Sequence, residues 1–327
     1  MPIVNCIETR KAILNNDPIS DTLHVIVVVS NPCQYKRRYF LAREFIQRME
    51  LEKNVTLYIV ELAYGDKGFH VTEEANPRHL QLRASVPLWH KENMINVGVA
   101  KLLPPDWKAF AWIDADIEFE STTWAIDTLK VLNGTRDIVQ IFSYSVDMNN
   151  KNNGLLLREG IGFKYCNNHT RIHWDALNTT IRNGHPGYAW AITRSAYDSI
   201  GGLYENNIIG GGDNIMVFSC LFKFSYPYTK LGSNDHRASV LEFETRAKKL
   251  NLGYIPGVIY HYFHGSMLNR KYTERHEILL NNNYSPSLHL TKNADGILIP
   301  TDKCPQAILD GIMTYFSERN EDEGFTV

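Results

Sequence analysis

The sequence predicts an α/β protein in which a mostly parallel sheet is flanked by helices. Two apolar runs, at residues 24–30 and 55–62, are continuous rather than alternating, which is typical of strands buried on both faces of such a sheet. Between them, apolar residues recur at helical spacing from Tyr39 to Met49. Together these observations predict a β-α-β unit at the start of the fold.

The segments that follow continue the alternation of helices and strands. Ser121-Thr122-Thr123 is expected to cap a helix that runs to about Leu132, because short hydroxyl side chains favour helix N-caps. The Asn-rich segment 149–183 lacks periodic apolar positions, so we expect loops or short antiparallel elements there. The other predicted helices cover residues 93–103, 213–224, 239–250, 270–280 and 305–317, and the other predicted strands cover residues 110–113, 138–142, 188–192 and 254–262.

Composition and charge exclude several classes of protein. The 34 basic and 36 acidic residues are well mixed and give a net charge of −2, so there is no basic footprint for nucleic acid or for an anionic membrane. No apolar run approaches the roughly 20 residues that span a bilayer, so no transmembrane segment is expected. The five cysteines lack CxxC spacing and are predicted to be reduced thiols.

Two aspartates, Asp114 and Asp116, follow the predicted strand 110–113. They therefore lie at the carboxyl edge of the sheet, where open α/β folds bind ligands. Magnesium and manganese are usually held by one or two carboxylates together with substrate phosphates, so Asp116 is a candidate direct ligand. Asp114 would then face a ribose or a metal-bound water. The alternative is that both residues cap a turn or the next helix.

Two histidines, His261 and His264, flank the end of the predicted strand 254–262. Positions i and i+3 of a straight strand face opposite sides, so both can bind one ion only if the chain bends between them. Gly265 makes such a bend plausible. The alternative is that only one histidine binds metal, and Asp116 with both histidines would also fit a non-haem iron triad.

A run of three glycines precedes Asp213 and an apolar helical pattern. Glycine lets the backbone approach a ligand closely, and an aspartate at a helix start can act as a base or as an N-cap. Both interpretations of Asp213 are open at this point. The loop lacks the Lys-Ser/Thr of a P-loop, and no G-x-G-x-x-G follows the first strand, so ATPase and dinucleotide-binding functions are poorly supported.

Taken in order, five short segments resemble those of inverting GT-A glycosyltransferases, in particular the β-1,4-galactosyltransferase-like and family 2-like enzymes. The resemblance covers residues from about 24 to 280 and depends on the order of the set more than on any one member. The segments are residues 96–98 (Asn-Val-Gly), 112–116 (Trp-Ile-Asp-Ala-Asp), 187–191 (Gly-Tyr-Ala-Trp-Ala), 210–213 (Gly-Gly-Gly-Asp) and 261–266 (His-Tyr-Phe-His-Gly-Ser).

The resemblance implies a GT-A fold with a Rossmann-like, nucleotide-binding sheet over residues 1–290, followed by a C-terminal helical extension over residues 291–327. It implies that Mn²⁺ (or Mg²⁺) is bound by Asp116, His261 and His264, and that the catalytic base is Asp213. The residues that it implies for binding the nucleotide-sugar are Ser30, Asn31, Glu61, Lys91, Asp114, Gly211 and Gly212. The chain departs from the family where Gly212 replaces a glutamate and Asn214 replaces an aspartate.

The implied activity is transfer of a sugar from a UDP-linked donor to a hydroxyl of a glycan or glycoprotein, with inversion; a retaining transferase is the alternative. An iron-dependent oxygenase and a non-catalytic carbohydrate-binding protein are the alternatives from other classes. The absence of an anchor and the C-terminal extension look more like bacterial or viral members. The expected location is therefore the cytoplasm of a bacterium or of a virus-infected host cell. Five N-x-Ser/Thr triplets leave open a lumenal fragment of an anchored enzyme.

Overall fold

The computed structural model describes residues 2–167, 184–221 and 231–326. The described strands are β1 (Leu23–Ser30), β2 (Val55–Tyr64), β3 (His79–Ala84), β4 (Ala109–Ile113), β5 (Ile117–Phe119), β6 (Ile138–Gln140), β7 (Tyr144–Met148), β8 (Gly154–Glu159), β9 (Ala189–Thr193), β10 (Leu252–Tyr254), β11 (Val258–His261), β12 (Leu290–Lys292) and β13 (Leu298–Pro300). The described helices are α1 (Pro2–Asn15), α2 (Lys36–Leu51), α3 (Lys91–Leu102), α4 (Trp124–Leu132), α5 (Ile161–Asn167), α6 (Arg194–Ile200), α7 (Gly212–Cys220), α8 (Asn234–Ala247), α9 (Glu277–Asn281), α10 (Pro286–His289) and α11 (Gln306–Glu318).

A seven-stranded mixed sheet forms the centre of the protein, in the order β10-β6-β9-β4-β1-β2-β3. Neighbouring strands are parallel except where β9 pairs with β4 and β6, so β9 alone of these seven runs against the others. Helices cover both faces of this sheet. The predicted class, α/β with a mostly parallel sheet flanked by helices, is confirmed.

A second sheet, in the order β5-β11-β7-β8, extends the carboxyl edge of the first. Its strands β5, β7 and β11 each follow within a few residues of the carboxyl ends of β4, β6 and β10. Strand β11 pairs parallel with β7 and antiparallel with β5. The second sheet therefore brings β11 beside the turn that follows β4.

The core divides between the two faces of the central sheet. Successive residues of β1 alternate between the two clusters, with Val25 and Val27 on one face and Ile26 on the other. Helices α2 and α4 cover the first face, and α3, α6, α7 and α8 cover the second. Close packing of α3 requires Gly98, because a Cβ there would lie 2.9 Å from Cγ2 of Val60. Burial on both faces explains why the apolar runs of β1 and β2 are continuous.

The prediction of one continuous strand over residues 254–262 is wrong. The chain forms β10 and β11 in different sheets, separated by the segment around Pro256 and Gly257. Proline has no N–H for a strand ladder, and the C=O of Gly257 instead accepts from the N–H groups of Ser143 and Tyr144, at 2.8 and 3.1 Å. The break redirects the chain into the second sheet.

Other predicted elements need smaller corrections. The helix predicted at 270–280 is a series of 3-10 turns, Leu268–Arg270 and Glu274–His276, followed by the short helix α9. Antiparallel pairing of β8 with β7 confirms short antiparallel elements within 149–183, although α5 was not predicted and residues 168–183 lie outside the described residues. The end of the helix predicted at 213–224 also lies outside them. Helix α1 and strand β3 were not predicted.

The C-terminal segment packs against the turn between β1 and α2. The hydroxyl of Tyr35 donates to the C=O of Ser317 at 2.7 Å, and the carboxylate of Asp322 accepts from the N–H groups of Lys36 and Arg37. No helix within the described ranges is long and apolar enough to cross a membrane. The cysteines whose side chains are described, Cys33, Cys166, Cys220 and Cys304, are free thiols, as predicted.

Candidate active site

A cavity lies at the carboxyl ends of β1 and β4, the edge at which open α/β sheets bind ligands. Side chains from distant parts of the chain meet in its wall. Among the residues singled out from sequence, those in the wall are Ser30, Asn31, Lys91, Asp114, Asp116, Gly211, Asp213, His261 and His264. Glu61 and Gly212 are not in the wall.

Asp114 and Asp116 lie in the turn between β4 and β5, and backbone hydrogen bonds fix both ends of that turn. The N–H of Asp114 donates to the C=O of Tyr188, and the N–H of Tyr262 donates to the C=O of Asp116, each at 2.8 Å. Because strand β5 follows Asp116, neither aspartate caps a helix, and that part of the alternative is wrong; both residues do lie at a turn. The two carboxylates diverge, Asp114 towards Lys91 and Asp116 towards the histidines.

Asp116, His261 and His264 form a cluster with the donor atoms of a divalent metal site. Oδ2 of Asp116 lies 3.2 Å from Nε2 of His264, and Oδ1 lies 3.9 Å from Nε2 of His261. One potential ligand atom from each residue lies within 4.8 Å of the others. Oδ1 of Asp116 is buried without a hydrogen-bond partner in the described protein, which a bound cation would explain. One carboxylate and two imidazoles suit manganese better than magnesium, which prefers oxygen ligands.

The side chain of His261 is oriented by Asp147, a residue that the sequence did not single out. These two residues are register partners in the parallel pair β11 and β7, and Nδ1 of His261 lies 2.9 Å from Oδ1 of Asp147. Burial alone would raise the pKa of Asp147, but hydrogen bonds from His261 and Arg158 outweigh it and hold that pKa below its ordinary value. The ionised carboxylate therefore accepts from Nδ1 and leaves the Nε2 lone pair facing Asp116.

His264 is oriented by its own backbone and by Arg270. Its Nδ1 lies 3.1 Å from the C=O of Tyr262, to which it donates, and its Nε2 accepts from Nη2 of Arg270 at 2.6 Å. Burial and then the charge of Arg270 lower the pKa of His264 well below the usual histidine value. The imidazole is therefore neutral, with its lone pair on the nitrogen that faces Asp116.

Lys91, at the start of α3, connects the aspartate turn to the glycine-rich loop. Its Nζ lies 2.6 Å from Oδ1 of Asp114 and 3.4 Å from Oδ2 of Asp213. Burial would lower the pKa of Lys91, but the two carboxylates raise it above its ordinary value. A charged lysine thus separates two carboxylates that would otherwise repel each other across the cavity.

Asp213 lies in the first turn of α7 and does not cap it. The N-cap is Gly211, whose φ of +89° favours glycine, so the N-cap interpretation of Asp213 is wrong. The carboxylate packs against Gly187, where an added Cβ would lie 3.0 Å from Oδ2. Burial raises the pKa of Asp213, and Lys91 counteracts part of that shift. The helix N-terminus also favours a carboxylate at this position.

A buried carboxylate that the sequence did not single out, Glu92, lies behind Gly212. A Cβ on Gly212 would lie 2.9 Å from Cγ of Glu92 and would clash with its carboxylate. Burial, followed by the nearby charge of Asp213, raises the pKa of Glu92 to about 8. The protonated form of Glu92 is therefore favoured more than in an exposed glutamate, and its side chain fills the space that a side chain at position 212 would need.

Glu61 does not reach the cavity wall, and this expectation from the sequence is corrected. Its carboxylate accepts hydrogen bonds from the N–H groups of His70, Val71 and Thr72 and from the hydroxyl of Thr72, at 2.6 to 3.0 Å. The side chain is only 2% exposed. Glu61 therefore anchors the loop that follows β2.

Ser30 and Asn31 do lie in the wall, at the end of β1. The Ser30 hydroxyl shares a hydrogen bond of 2.9 Å with the hydroxyl of Tyr64. The Asn31 side chain accepts from the N–H of Tyr35 at 3.0 Å and donates to its C=O at 2.8 Å. These bonds make the β1 end a rigid part of the wall.

The far side of the cavity is lined by arginines and aromatic residues that the sequence did not single out. The carboxylate of Glu321 pairs with Arg38 and Arg319, each at 2.6 Å. The ring of Trp89 stacks on that of Phe316, with centroids 6.2 Å apart. The local signals in the sequence were the basic run Lys36-Arg37-Arg38 and the basic residues that follow His264. The remaining arginines of this wall are Arg270 and Arg275.

Comparisons with known proteins identify no close relative. No family model matches the chain. No curated protein matches it either. Among solved structures, it is similar to the catalytic domain of Drosophila β1,4-galactosyltransferase 7 in complex with xylobiose, with 9% identity over 90% of this chain and 99% of that chain and a TM-score of 0.39. A mutant of that Drosophila enzyme in complex with manganese, UDP-Gal and xylobiose is 10% identical over 89% of this chain and 98% of that chain, with a TM-score of 0.38. Likeness at this level says nothing about the activity of this chain.

Proposed function

We propose that this chain is a metal-dependent glycosyltransferase of the GT-A type, which transfers a sugar from a UDP-linked donor to a hydroxyl of a glycan or glycoprotein. One observation carries the proposal: a candidate metal cluster and a separate Lys91–Asp213 pair share one cavity at the carboxyl edge of a mostly parallel sheet. The metal cluster would hold the diphosphate of the donor. Asp213 of the Lys91–Asp213 pair would take the proton from the attacking hydroxyl.

The metal centre would be formed by Asp116, His261 and His264, with manganese as the ion that its mixed oxygen and nitrogen donors suit best. When bound, the ion would supply Lewis-acid stabilisation to the departing diphosphate, so that the leaving group needs no proton. Asp147 and the C=O of Tyr262 fix the imidazole orientations in advance. Lys91 places a positive charge beside Asp114, on the side where the nucleotide would lie.

Asp213 would act as the base. The acceptor oxygen forms a bond to the anomeric carbon while the bond from that carbon to the diphosphate oxygen breaks, and the hydroxyl proton passes to the Asp213 carboxylate. Attack from the face opposite the leaving group inverts the configuration. The partial burial of Asp213 beside Lys91 raises the pKa of this carboxyl, which suits a base. General-base catalysis typically raises the rate by about 10²- to 10⁴-fold.

The same metal cluster also suits ferrous iron, so an oxygenase is the competing enzyme class. Oxygenases with this ligand set typically fold as two antiparallel sheets packed together, whereas the central sheet of this protein is mostly parallel. The Lys91–Asp213 pair has no evident role in oxygen chemistry. A carbohydrate-binding protein without activity would bind glycans and leave every nucleotide sugar intact.

The proposal is tested with a panel of nucleotide sugars, each incubated with the protein and Mn²⁺, with Fe(II), or with EDTA. We expect release of UDP from at least one donor, with Mn²⁺ and not with EDTA, and faster release when a suitable acceptor glycan is present. Consumption of oxygen with Fe(II), without release of UDP from any donor, would favour the oxygenase. Failure of every donor and acceptor pair would contradict the transferase.

A further inference from the structure

Arg275 lies in the cavity wall as a buried arginine without a counter-ion. It is 6% exposed, and its guanidinium packs on Trp89 and on Tyr272, at 5.8 and 5.2 Å from the ring centroids. The ion pairs of the wall join Glu321 to Arg38 and Arg319, and Lys91 to its two aspartates. Within the described ranges, no ion pair includes Arg275. A buried charge without a counter-ion is destabilising, which points to a ligand that supplies the missing charge.

One nitrogen of this guanidinium remains for a ligand. Nη1 donates to the hydroxyl of Tyr315 at 2.8 Å, and Nε is buried without a hydrogen-bond partner in the part of the chain that is described. Nη2 donates to no described group, and a charged N–H of this kind bonds strongly to a carboxylate oxygen. One carboxylate would neutralise the one charge of Arg275, whereas a phosphate monoester would leave an excess negative charge.

The position of Arg275 separates it from the metal cluster. A Cβ on Gly211 would lie 3.7 Å from Nη2 of Arg275, so the guanidinium lies beside the loop that carries Asp213. Arg38 and Arg270, in contrast, are the arginines whose charges act on Asp116. A diphosphate held at the metal cluster would therefore leave Arg275 to whatever lies next to the base, which is a sugar ring.

Trp89 holds this guanidinium in place. Its indole lies against Gly210, where an added Cβ would come within 3.1 Å of the ring, and it stacks on Phe316. Because the guanidinium of Arg275 also lies over the indole, the aromatic ring helps to keep the positive charge in the cavity wall.

We propose that Arg275 forms a subsite for a carboxylate-bearing sugar residue, with the acid group on Nη2 of Arg275 and with Trp89 holding the guanidinium in place. This inference rests on the proposed function. The acidic sugar is part of the donor or of the acceptor, and the chemistry of recognition is the same in both cases. A uronic acid, whose carboxylate lies on the carbon outside the ring, fits this description.

The test compares pairs of ligands that differ only in the acid group. The donor pair is UDP-glucose and UDP-glucuronic acid, and the acceptor pair is methyl glucoside and methyl glucuronide, the latter two measured with UDP and Mn²⁺ present. We expect the wild type to prefer the acid by about tenfold or more in one of the two pairs. Arg275→Gln should abolish that preference and leave the Kd of UDP unchanged. Arg275→Lys should keep part of it.

Arg83→Gln is the matched control, because Arg83 also packs on an aromatic ring, Phe69 at 4.6 Å, but is absent from the cavity wall. It should keep the full preference. Binding of UDP with no preference in either pair would overturn the subsite alone, and this result needs only the wild type. A preference that survives in Arg275→Gln would overturn it as well. Absence of Mn²⁺-dependent UDP binding would instead overturn the proposed function, and the subsite with it.

Discussion

Asp213 is the residue on which the chemistry of the proposed reaction depends. Asp213→Asn keeps the shape of the side chain and removes its ability to accept a proton. We expect turnover to fall by about 10²- to 10⁴-fold while the Kd of UDP with Mn²⁺ changes little, because the metal cluster is untouched. Steady-state kinetics and calorimetry measure the two quantities.

Asp198→Asn is the control for this exchange, since Asp198 is a surface aspartate with a side chain 62% exposed. It should leave turnover unchanged. If Asp213→Asn keeps the full rate, Asp213 is not the base, and a retaining mechanism becomes the better account.

Asp147 touches no ligand in the proposed site and acts through His261. In Asp147→Asn the charge that fixes the His261 tautomer is lost, and Arg158 loses its buried partner. We expect Mn²⁺ affinity to fall by about 10- to 100-fold, as for other partners of metal-binding histidines. A larger effect on the Kd of Mn²⁺ than on kcat at saturating Mn²⁺ would identify a positioning role. An unchanged Kd would contradict it.

At the scale of single residues, the sequence predicted those whose chemistry is marked by local pattern. Asp114, Asp116 and Asp213 each follow a strand or a glycine run, and the histidines flank a strand end. Asp147 and Glu92 carry no such mark, because each acquires its role only through a partner far away in the chain. Glu61 shows the reverse case: the sequence predicts it near a strand end that faces the cavity, but it lies within β2 and binds the loop that follows this strand.

Contact between α3 and the start of α7 sets the position of Asp213. Gly212→Ala adds a Cβ that would clash with the side chain of Glu92, so that buried side chain or one of the two helices must shift. We expect unfolding free energy to fall by about 1–3 kcal/mol, as for other overpacked sites, and turnover to fall with it. Denaturant unfolding followed by circular dichroism measures the first quantity.

The double variant Gly212→Ala with Glu92→Ala tests the cause. Because the clashing side chain is gone, it should be more stable than the sum of the two single exchanges predicts. Gly68→Ala is the matched control, since no atom lies within 4 Å of a Cβ there, and it should change stability by less than about 0.5 kcal/mol. Strict additivity in the double variant would exclude the proposed clash.

At the scale of elements, long apolar runs predicted β1 and β2 well, and helical spacing predicted α2 and α3. Elements without such a signal were missed. Strand β3 alternates polar and apolar residues, which is typical of a half-buried strand, but it is short and lies at the edge of the sheet. Strands β10 and β11 are so short that the apolar run hid the break between them. Pairing with distant strands assigns β10 and β11 to different sheets, and no local pattern records that pairing.

At the scale of the whole molecule, the C-terminal segment forms part of the cavity wall. Glu321 is 1% exposed and lies between Arg38 of α2 and Arg319 beyond α11. Glu321→Gln leaves two arginines without their carboxylate, so we expect the free energy of unfolding to fall by about 3 kcal/mol. This is the low end of the range for breaking a buried ion pair, because Arg38 is partly exposed. Thermal unfolding measures this change.

Glu318→Gln is the control, because Glu318 pairs with Lys271 at the surface, where both side chains are more than 40% exposed. It should cost less than about 1 kcal/mol. Equal effects of the two exchanges would contradict the view that the C-terminal segment is an integral part of the cavity wall. No sequence pattern in residues 291–327 predicts that role, because it depends on contacts between this segment and α2.

The central claim is that one cavity holds a divalent ion and a nucleoside diphosphate together. Calorimetric titration of UDP into the wild type, with Mn²⁺ and then with EDTA, tests it most directly, alongside Asp116→Asn and His264→Asn. We expect tight binding of UDP by the wild type only with Mn²⁺, and loss of that dependence in both variants. UDP binding by the wild type that is equal with Mn²⁺ and with EDTA, or that still depends on Mn²⁺ in Asp116→Asn, would contradict the account.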